Sequence, residues 1–228
     1  MSISANQLTA GFGSTALTSY TTASVSPAAN RLILVWVGHQ VASGGMNATA
    51  LSGLGLTWDL VDSFVDSTTG NRRVSLFRAL SATTPTPGTL TISFASGQTA
   101  LRCGWSVTEF GGVDTTGTNG ANAIVQSARG ETTDSVAATG VTATLAAFSG
   151  VNNATFCGLR YGVNGLPTVG TGFTLLGSAQ STASYFTEWK NSNDTTADWS
   201  WASSSLYNEA IAVEIKASTN TQGLLGVL

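Results

Sequence analysis

Short apolar runs, separated by clusters of Gly, Pro, Ser, Thr and Asn, recur along the chain. Arg31–Gly38 (RLILVWVG) is a continuous apolar run rich in β-branched and aromatic residues, which indicates a strand buried on both faces. Thr89–Ala95 (TLTISFA) alternates apolar and polar residues, as a strand with one buried face does. No segment keeps the helical period over several turns, although Thr144–Phe148 is long enough for a single helical turn. The pattern predicts an all-β protein.

Turn signals between the apolar runs predict further strands. Residues 1–30 have no strong period and are predicted as an N-terminal arm or edge segment, with Thr15–Val25 as a candidate edge strand. Gln40–Gly55 contains Ser-Gly-Gly and Ser-Gly and is predicted as a loop. The strands predicted after Arg31–Gly38 are Leu56–Val65, Arg72–Leu80, Thr89–Ala95, Leu101–Phe110, Ala121–Ala128, Val136–Ala147, Ala154–Gly162, Phe173–Ser178, Ala183–Lys190, Asp198–Ala202 and Ala210–Ala217.

The order of these strands repeats. The matching segments are Gly55–Thr57 with Gly172–Thr174, Arg73–Arg78 with Ser184–Lys190, Thr91–Phe94 with Trp199–Trp201, and Trp105–Phe110 with Ala210–Ile215. The two strands between the copies, Ala121–Ala128 and Val136–Ala147, are expected to cross from one half to the other.

Each half has only four or five predicted strands, which is too few to bury its own apolar faces. The sequence therefore predicts one double-sheet jelly-roll β-sandwich of about 10–13 antiparallel strands with an internal two-fold repeat. This sandwich is expected to span residues 31–217, with a first half at 31–115 and a second half at 121–217. Residues 218–228 are predicted as a C-terminal arm.

Charge is scarce along the whole chain. Charged residues are 9% of the 228 residues, compared with about 25% in an average globular protein. The net charge is −3 and only two lysines are present, so the chain lacks the clustered basic residues that bind nucleic acid. The closest basic pair, Arg72 and Arg73, lies beside a turn and is predicted to be a solvated hairpin end.

Targeting signals are also missing from the sequence. No Lys or Arg precedes Arg31, and the N-terminus has no apolar run of the length that a secretory signal needs. The longest apolar run, Leu32–Val37, is too short to cross a bilayer. We therefore expect a chain with no membrane partner, which is made in the cytosol and leaves it only by assembly or lysis.

Cysteine and histidine offer little catalytic chemistry. Cys103 and Cys157 alternate with apolar neighbours, so both point inwards; they are predicted as buried free thiols or, alternatively, as a pair that bridges the halves. His39 is the only histidine and follows the apolar strand, where we expect it to touch solvent. A single histidine without a nucleophile elbow does not indicate a catalytic triad, and it does not indicate a zinc site.

Two carboxylates about 5–5.5 Å apart would indicate a retaining glycosidase. Glu209 and Glu214 are five residues apart on one strand, so they point in opposite directions. Asp62 and Asp66 share a parity but straddle a strand end and are expected to face solvent. Loop residues such as Asp114 lack the ligand density of a calcium site. The sequence predicts no enzyme activity, no cofactor and no metal, unless acids meet across strands.

Three tryptophans are candidate binding residues. Trp199 and Trp201 share one face of a short strand, and Trp189 lies on the preceding strand. Aromatic faces of this kind stack on sugar rings, and they also fill sandwich cores and subunit interfaces. The residues alone leave both alternatives open.

The C-terminal residues change in character. Ser218–Leu228 is polar at first and ends in Gly-Leu-Leu-Gly-Val-Leu. An exposed aliphatic end of this kind favours association. Either the end is unordered, or Leu224, Leu225, Val227 and Leu228 form an interface with the core or with a neighbouring subunit.

Several strand motifs together resemble a known group of proteins. They are Asn30–Trp36 (NRLILVW), Gly55–Val61 (GLTWDLV), Arg73–Leu80 (RVSLFRAL), Gly88–Phe94 (GTLTISF) and Trp105–Thr115 (WSVTEFGGVDT). This pattern resembles jelly-roll modules of tailed-phage virion proteins and of some bacterial surface proteins, over about residues 30–217. The second copy departs from it, because Leu175 stands where the first copy has Trp58.

The resemblance implies a role but transfers no catalytic residues. It implies a non-enzymatic virion structural protein, either a capsid decoration (cement) protein or a tail accessory protein, assembled in the host cytoplasm. Its partners would be the major capsid or tail proteins and further copies of itself, with a trimer as one suitable closed oligomer. The alternative is a carbohydrate-binding or receptor-binding module of a tail fibre, which would bind a cell-surface glycan.

Overall fold

The structure, a computed structural model, describes residues 2–43, 45, 47–133, 137–181 and 183–219. These residues form fifteen β-strands and two short 3-10 segments, Ala95–Gly97 and Thr118–Ala123. The strands are β1 (Ser4–Gly13), β2 (Ser19–Thr21), β3 (Arg31–Gln40), β4 (Thr49–Gly53), β5 (Asp59–Val65), β6 (Arg72–Ser81), β7 (Leu90–Phe94), β8 (Arg102–Gly111), β9 (Ile124–Thr132), β10 (Ala138–Thr144), β11 (Ala154–Tyr161), β12 (Thr174–Gln180), β13 (Ser184–Lys190), β14 (Thr196–Ser205) and β15 (Asn208–Ile215). The all-β prediction is confirmed. None of the described helical segments is long or apolar enough to cross a membrane.

Two strands lie where the sequence predicted none. β1 pairs along its length with β8 at the edge of a sheet, so Ser4–Gly13 is the edge segment that was one of the two predictions for residues 1–30, and not an arm. β4 lies within the predicted loop and pairs with β7. Both segments are short of β-branched residues, and it is the neighbouring strand that holds them extended. Thr144–Phe148, which is long enough for a single helical turn, does not form one.

Four antiparallel sheets divide between the two halves of the chain. In the first half a five-stranded sheet has the order β1-β8-β3-β6-β5 and a three-stranded sheet has the order β2-β7-β4. In the second half the five-stranded sheet reads β9-β15-β11-β13-β12, and a two-stranded sheet joins β10 to β14. β9 and β10 therefore belong to the second half, and the expectation that they cross between the halves is wrong.

The sheet orders confirm the internal repeat. Reading both five-stranded sheets in this direction matches β1 with β9, β8 with β15, β3 with β11, β6 with β13 and β5 with β12. The small sheets match β2 with β10 and β7 with β14, and β4 alone has no counterpart strand. The segments that the sequence paired, such as Arg73–Arg78 with Ser184–Lys190, lie on the matching strands β6 and β13.

Three apolar cores separate these sheets. One core lies wholly within the first half, between its large and small sheets, and includes Val35 and Ile92. A second lies wholly within the second half and includes Leu159 and Trp199. The third is shared by the two halves and includes Trp36 and Phe156. The prediction that neither half buries its own apolar faces is wrong, because the four sheets stack in four layers instead of two.

The central strands are apolar on both faces because each lies between two of these cores. In β3, Ile33 and Val35 point into the core of the first half, while Leu34 and Trp36 point into the shared core. This confirms the prediction of a strand buried on both faces.

The two halves face each other like the subunits of a two-fold dimer. β1 contacts β12, and their counterparts in the opposite halves, β9 and β5, contact each other in the same way. The inner strands follow the same rule, since β6 contacts β15 and β8 contacts β13. Such an exchange of equivalent strands is what a two-fold axis between β3 and β11 produces.

Candidate functional site

The candidate tryptophans do not form a common surface. Trp199 is 1% exposed and Trp201 is 7% exposed, both within the core of the second half. Trp199 donates to the Cys157 sulfur at 3.4 Å, and Trp201 donates to the Ala138 carbonyl at 2.7 Å. Trp189 is half-buried against the shared core, where its ring meets Phe110 at 6.1 Å. Of the two alternatives, core packing holds for Trp199 and Trp201, so these rings offer no sugar-stacking face.

The C-terminal interface residues Leu224, Leu225, Val227 and Leu228 lie outside the described residues. The described chain ends at Thr219, in the wall of an open depression of about 540 Å³ that is also lined by the loop Ser149–Asn153. Val151 in this loop is 84% exposed. Lys216, which also lines the depression, forms an ion pair with Asp114 at 2.8 Å.

A buried charged cluster lies at one end of the space between the halves. Arg160 and Glu209, on β11 and β15, form an ion pair of 2.9 Å with both side chains almost wholly enclosed. Arg160 also donates to the Tyr207 carbonyl at 3.0 Å and to the Gln40 side chain at 3.2 Å. Burial raises the pKa of Glu209 to about 7, and Arg160 opposes that rise. Because Gln40 belongs to the first half, the cluster joins the two halves.

The hairpin between β5 and β6 covers this cluster. The Arg72 guanidinium lies 3.8 Å from the centre of the Tyr207 ring, and Tyr207 has a φ of 60° that only a few residue types adopt readily. The Asp66 carboxylate accepts backbone hydrogen bonds from Thr69 at 2.7 Å and from Arg72 at 2.9 Å. Burial opposes ionisation of Asp66, but these hydrogen bonds outweigh it and lower its pKa.

Two predictions about this hairpin are therefore wrong. Asp66 is 4% exposed and Arg72 is 9% exposed, so neither is a solvated hairpin residue. Arg72 is buried because Tyr207 of the second half packs on it, a contact that local sequence does not encode. Asp66 is enclosed by donors of its own hairpin, including the amides of Thr69 and Arg72.

Tyr185 fills the space beside the charged cluster. The Tyr185 ring packs against the large sheet of the first half at Gly38 and Gly104, where a Cβ on either glycine would overlap the ring. Phe12 of β1 packs on the same ring at 5.6 Å. Burial raises the pKa of Tyr185 to about 12, so the phenol stays neutral.

The remaining candidate acids are used in hydrogen bonds and ion pairs. Glu214 accepts from the Ser149 amide at 2.9 Å, and Gln126 and Asn153 also donate to it. Glu209 and Glu214 point to opposite faces of β15, as predicted, because Ile211 lies in the shared core and Ala210 in the core of the second half. Asp62 is paired with Arg129 of β9 and its side chain is only 10% exposed, which corrects the expectation that it faces solvent.

Glu188 is a buried acid that the sequence did not single out. Its Oε2 accepts from the Gly170 amide at 2.9 Å, while its Oε1 has no hydrogen-bond partner in the part of the chain that the structure describes. Burial raises the pKa of Glu188 to about 8, and Asp198 and Asp194 add to the rise. Full enclosure keeps this acid from a substrate. Among the described residues, no cluster of His, Cys, Asp or Glu is suited to a metal ion.

His39 and the two cysteines are buried. His39 is stacked on Phe94 at 4.4 Å with no exposed surface, which corrects the prediction of a solvent-touching histidine. Burial lowers its pKa to about 3, with Arg73 and Arg160 contributing. Cys103 and Cys157 are free thiols in the cores of different halves, which confirms the first of the two predictions and excludes a pair between them.

The edges of the two large sheets differ in charge. β5 carries Asp59 and Asp62 and β9 carries Arg129 and Glu131. β1 reads SANQLTAGFG and β12 reads TLLGSAQ, with no charged residue and no proline. β1 and β12 lie on one side of the molecule, and β5 and β9 lie on the other.

No family model, no curated protein and no solved structure matches this chain.

Proposed function

We propose that this chain is a non-enzymatic structural protein of a tailed-phage particle, either a capsid decoration (cement) protein or a tail accessory protein. The proposal starts from the resemblance of its strand motifs to virion modules. The main observation in its support is that the side chains best suited to catalysis or sugar binding are buried. Glu209 is paired with Arg160, and His39 and Trp199 lie in the cores. What remains outside is a weakly charged surface of Ser, Thr and Asn.

The strand order adds support for a jelly-roll unit in each half. The run β1-β8-β3-β6 over β2-β7-β4 is the order that two nested Greek keys produce, with β5 moved onto the larger sheet. Viral capsid and lectin domains use this arrangement. The second half follows the same order without a counterpart of β4.

Such a protein would stabilise the particle through its contacts with neighbouring subunits. Two cores within the halves, a third core shared between them and the hydrogen bond from Arg160 to Gln40 across them give a rigid body. Many copies on a regular particle then add their weak contacts into strong attachment. A sugar-binding role has less support, because Trp199 and Trp201 are not exposed.

The direct test is to purify intact particles from a lysate of the cells that encode the chain. Particles banded on a density gradient are analysed by mass spectrometry, and an antibody against the purified chain is located by electron microscopy. We expect the chain to band with particles in many copies and to label the head or the tail. Recovery only in the particle-free fraction would refute the proposal.

A further inference from the structure

The repeat provides an internal control for the edges of the molecule. β1 and β9 are equivalent strands, and so are β5 and β12. Because the halves face each other in opposite directions, the side formed by β1 and β12 is the structural equivalent of the side formed by β5 and β9. Any difference between these two sides therefore reflects sequence and not position in the fold.

The β5/β9 side is protected. Arg129 donates through Nε to Asp62 at 3.0 Å, which ties the two edge strands together, and its guanidinium lies 5.5 Å from the Phe64 ring centre. Glu131 accepts from the Ser67 amide at 2.6 Å. Charged side chains on an edge strand discourage pairing with another chain.

The β1/β12 side lacks that protection. β1 is ten residues long and β12 is seven, and neither carries a charge or a proline. Within the described residues, β1 pairs only with β8 and β12 only with β13. Long uncharged edges are templates for strand addition, and soluble proteins rarely leave them open.

We infer that a second copy of the chain docks on the β1/β12 side. A two-fold axis perpendicular to the sheets places β1 against β1 of the second copy and β12 against its β12, so both five-stranded sheets become continuous ten-stranded sheets. The inference rests on the proposed assembly function and names one partner for it.

The size and charge of this side suit a self-contact. A ten-residue strand is about 33 Å long, and two stacked sheets lie about 10 Å apart. With side chains the strip is about 20 Å thick, which gives roughly 600–700 Å² per copy, near the ~800 Å² per partner of a stable interface. A two-fold contact brings each residue near its own copy, so an uncharged surface avoids the repulsion that like charges cause.

Matched lysine variants test the inference by light scattering. Leu175→Lys/Ser178→Lys places two charges on β12, where Leu175 is 39% exposed. The control Val125→Lys/Ser127→Lys places the same two charges on β9, where Val125 is also 39% exposed. We expect the wild-type chain and the control to have twice the mass of the chain. We expect the β12 variant to need roughly tenfold or more protein to dimerise. A monomeric wild-type chain, or equal dimerisation of both variants, would overturn the inference.

Hydrogen exchange of the wild-type chain is a second readout that does not depend on any variant. The amides of β1 and β12 should gain protection as concentration rises, whereas those of β5 and β9 should not. A chain ending at Thr219 separates this inference from the proposed function. If this shortened chain is monomeric while the β12 variant is still a dimer, the C-terminal segment forms the interface. That result would overturn the edge contact without contradicting the proposed function in a phage particle.

Discussion

Trp36 packs its indole ring on the backbone of Gly158, and the two residues hold the same position in the two halves. Trp36 lies opposite Ser106 in β8, and Gly158 lies opposite Ile211 in β15. Ser106 and Ile211 are themselves second residues of the matched segments Trp105–Phe110 and Ala210–Ile215. A residue that meets its own counterpart lies on the pseudo-two-fold axis. One copy supplies the largest side chain at this point and the other supplies none.

Gly158→Ala should therefore destabilise the protein by about 1–3 kcal/mol, because a Cβ at this position would overlap the Trp36 ring in a filled core. Urea unfolding measures the change. Gly88→Ala is the control, since its nearest neighbour to a new Cβ is Leu54 at 4.0 Å, and it should change stability by less than about 0.5 kcal/mol. Equal losses of unfolding free energy for both variants would contradict the close packing of Trp36 on Gly158.

The buried ion pair gives a second prediction. Arg160→Met should cost about 3–5 kcal/mol, since it leaves the Glu209 carboxylate enclosed without its partner. Arg160→Met/Glu209→Met should cost clearly less than the sum of the two single changes, because the double variant leaves no unpaired charge. Unfolding of the four proteins in a double-mutant cycle measures this coupling.

A surface pair serves as the control for that cycle. Lys190 and Asp194 lie 2.7 Å apart with about a quarter of each side chain exposed. Lys190→Met should cost no more than about 1 kcal/mol. A similar cost for both pairs would mean that burial of Arg160 and Glu209 adds nothing.

Much of the fold was readable from local sequence, and the reason is visible in β3. Its apolar run reflects burial between two cores, so the pattern alone identifies the strand. β1 has no such pattern and is held by β8, which comes about a hundred residues later in the chain. The charged cluster was missed for the same reason. Arg160, Glu209 and Gln40 come from distant strands, and no spacing rule brings them together.

Strand counts predict two layers instead of four because they treat each sheet as having only one buried face. Here the large sheets are buried on both faces, so small sheets of two or three strands suffice to close each half. The apolar residues on both faces of β15, Ala212 on one and Val213 on the other, carried that information in the sequence.

Glu188 predicts that stability falls as pH rises. Its folded pKa of about 8 lies above the ordinary glutamate pKa of 4.5, so the folded state holds a proton that the unfolded state has lost between these pH values. The stabilisation is complete below about pH 4.5 and is lost as pH rises through 8. Glu188→Gln mimics the protonated acid and should match wild type at pH 5. At pH 9 it should be more stable by up to about 5 kcal/mol.

Glu214→Gln is the control with the opposite sign. Hydrogen bonds from Gln126, Asn153 and Ser149 outweigh burial and lower the pKa of Glu214, so its carboxylate stabilises the fold above the unfolded pKa. The glutamine variant should be less stable than wild type at pH 9. Thermal unfolding of both variants across pH 5–9 checks the pair, and a shift in the same direction for both would contradict the assignment.

His39 predicts an acid limit. Its folded pKa of about 3 lies below the ordinary histidine pKa of 6.5, so between these pH values the unfolded state binds a proton that the folded state does not. Above pH 6.5 the ring is neutral in both the folded and the unfolded state, so it does not change the free energy of unfolding. That free energy falls as pH drops from 6.5 towards 3. His39→Gln removes this proton uptake, so its unfolding free energy should fall less steeply than that of wild type between pH 6 and 4. If the two slopes were equal, His39 would be protonated in the folded state, and the burial of its ring against Phe94 would not control its charge.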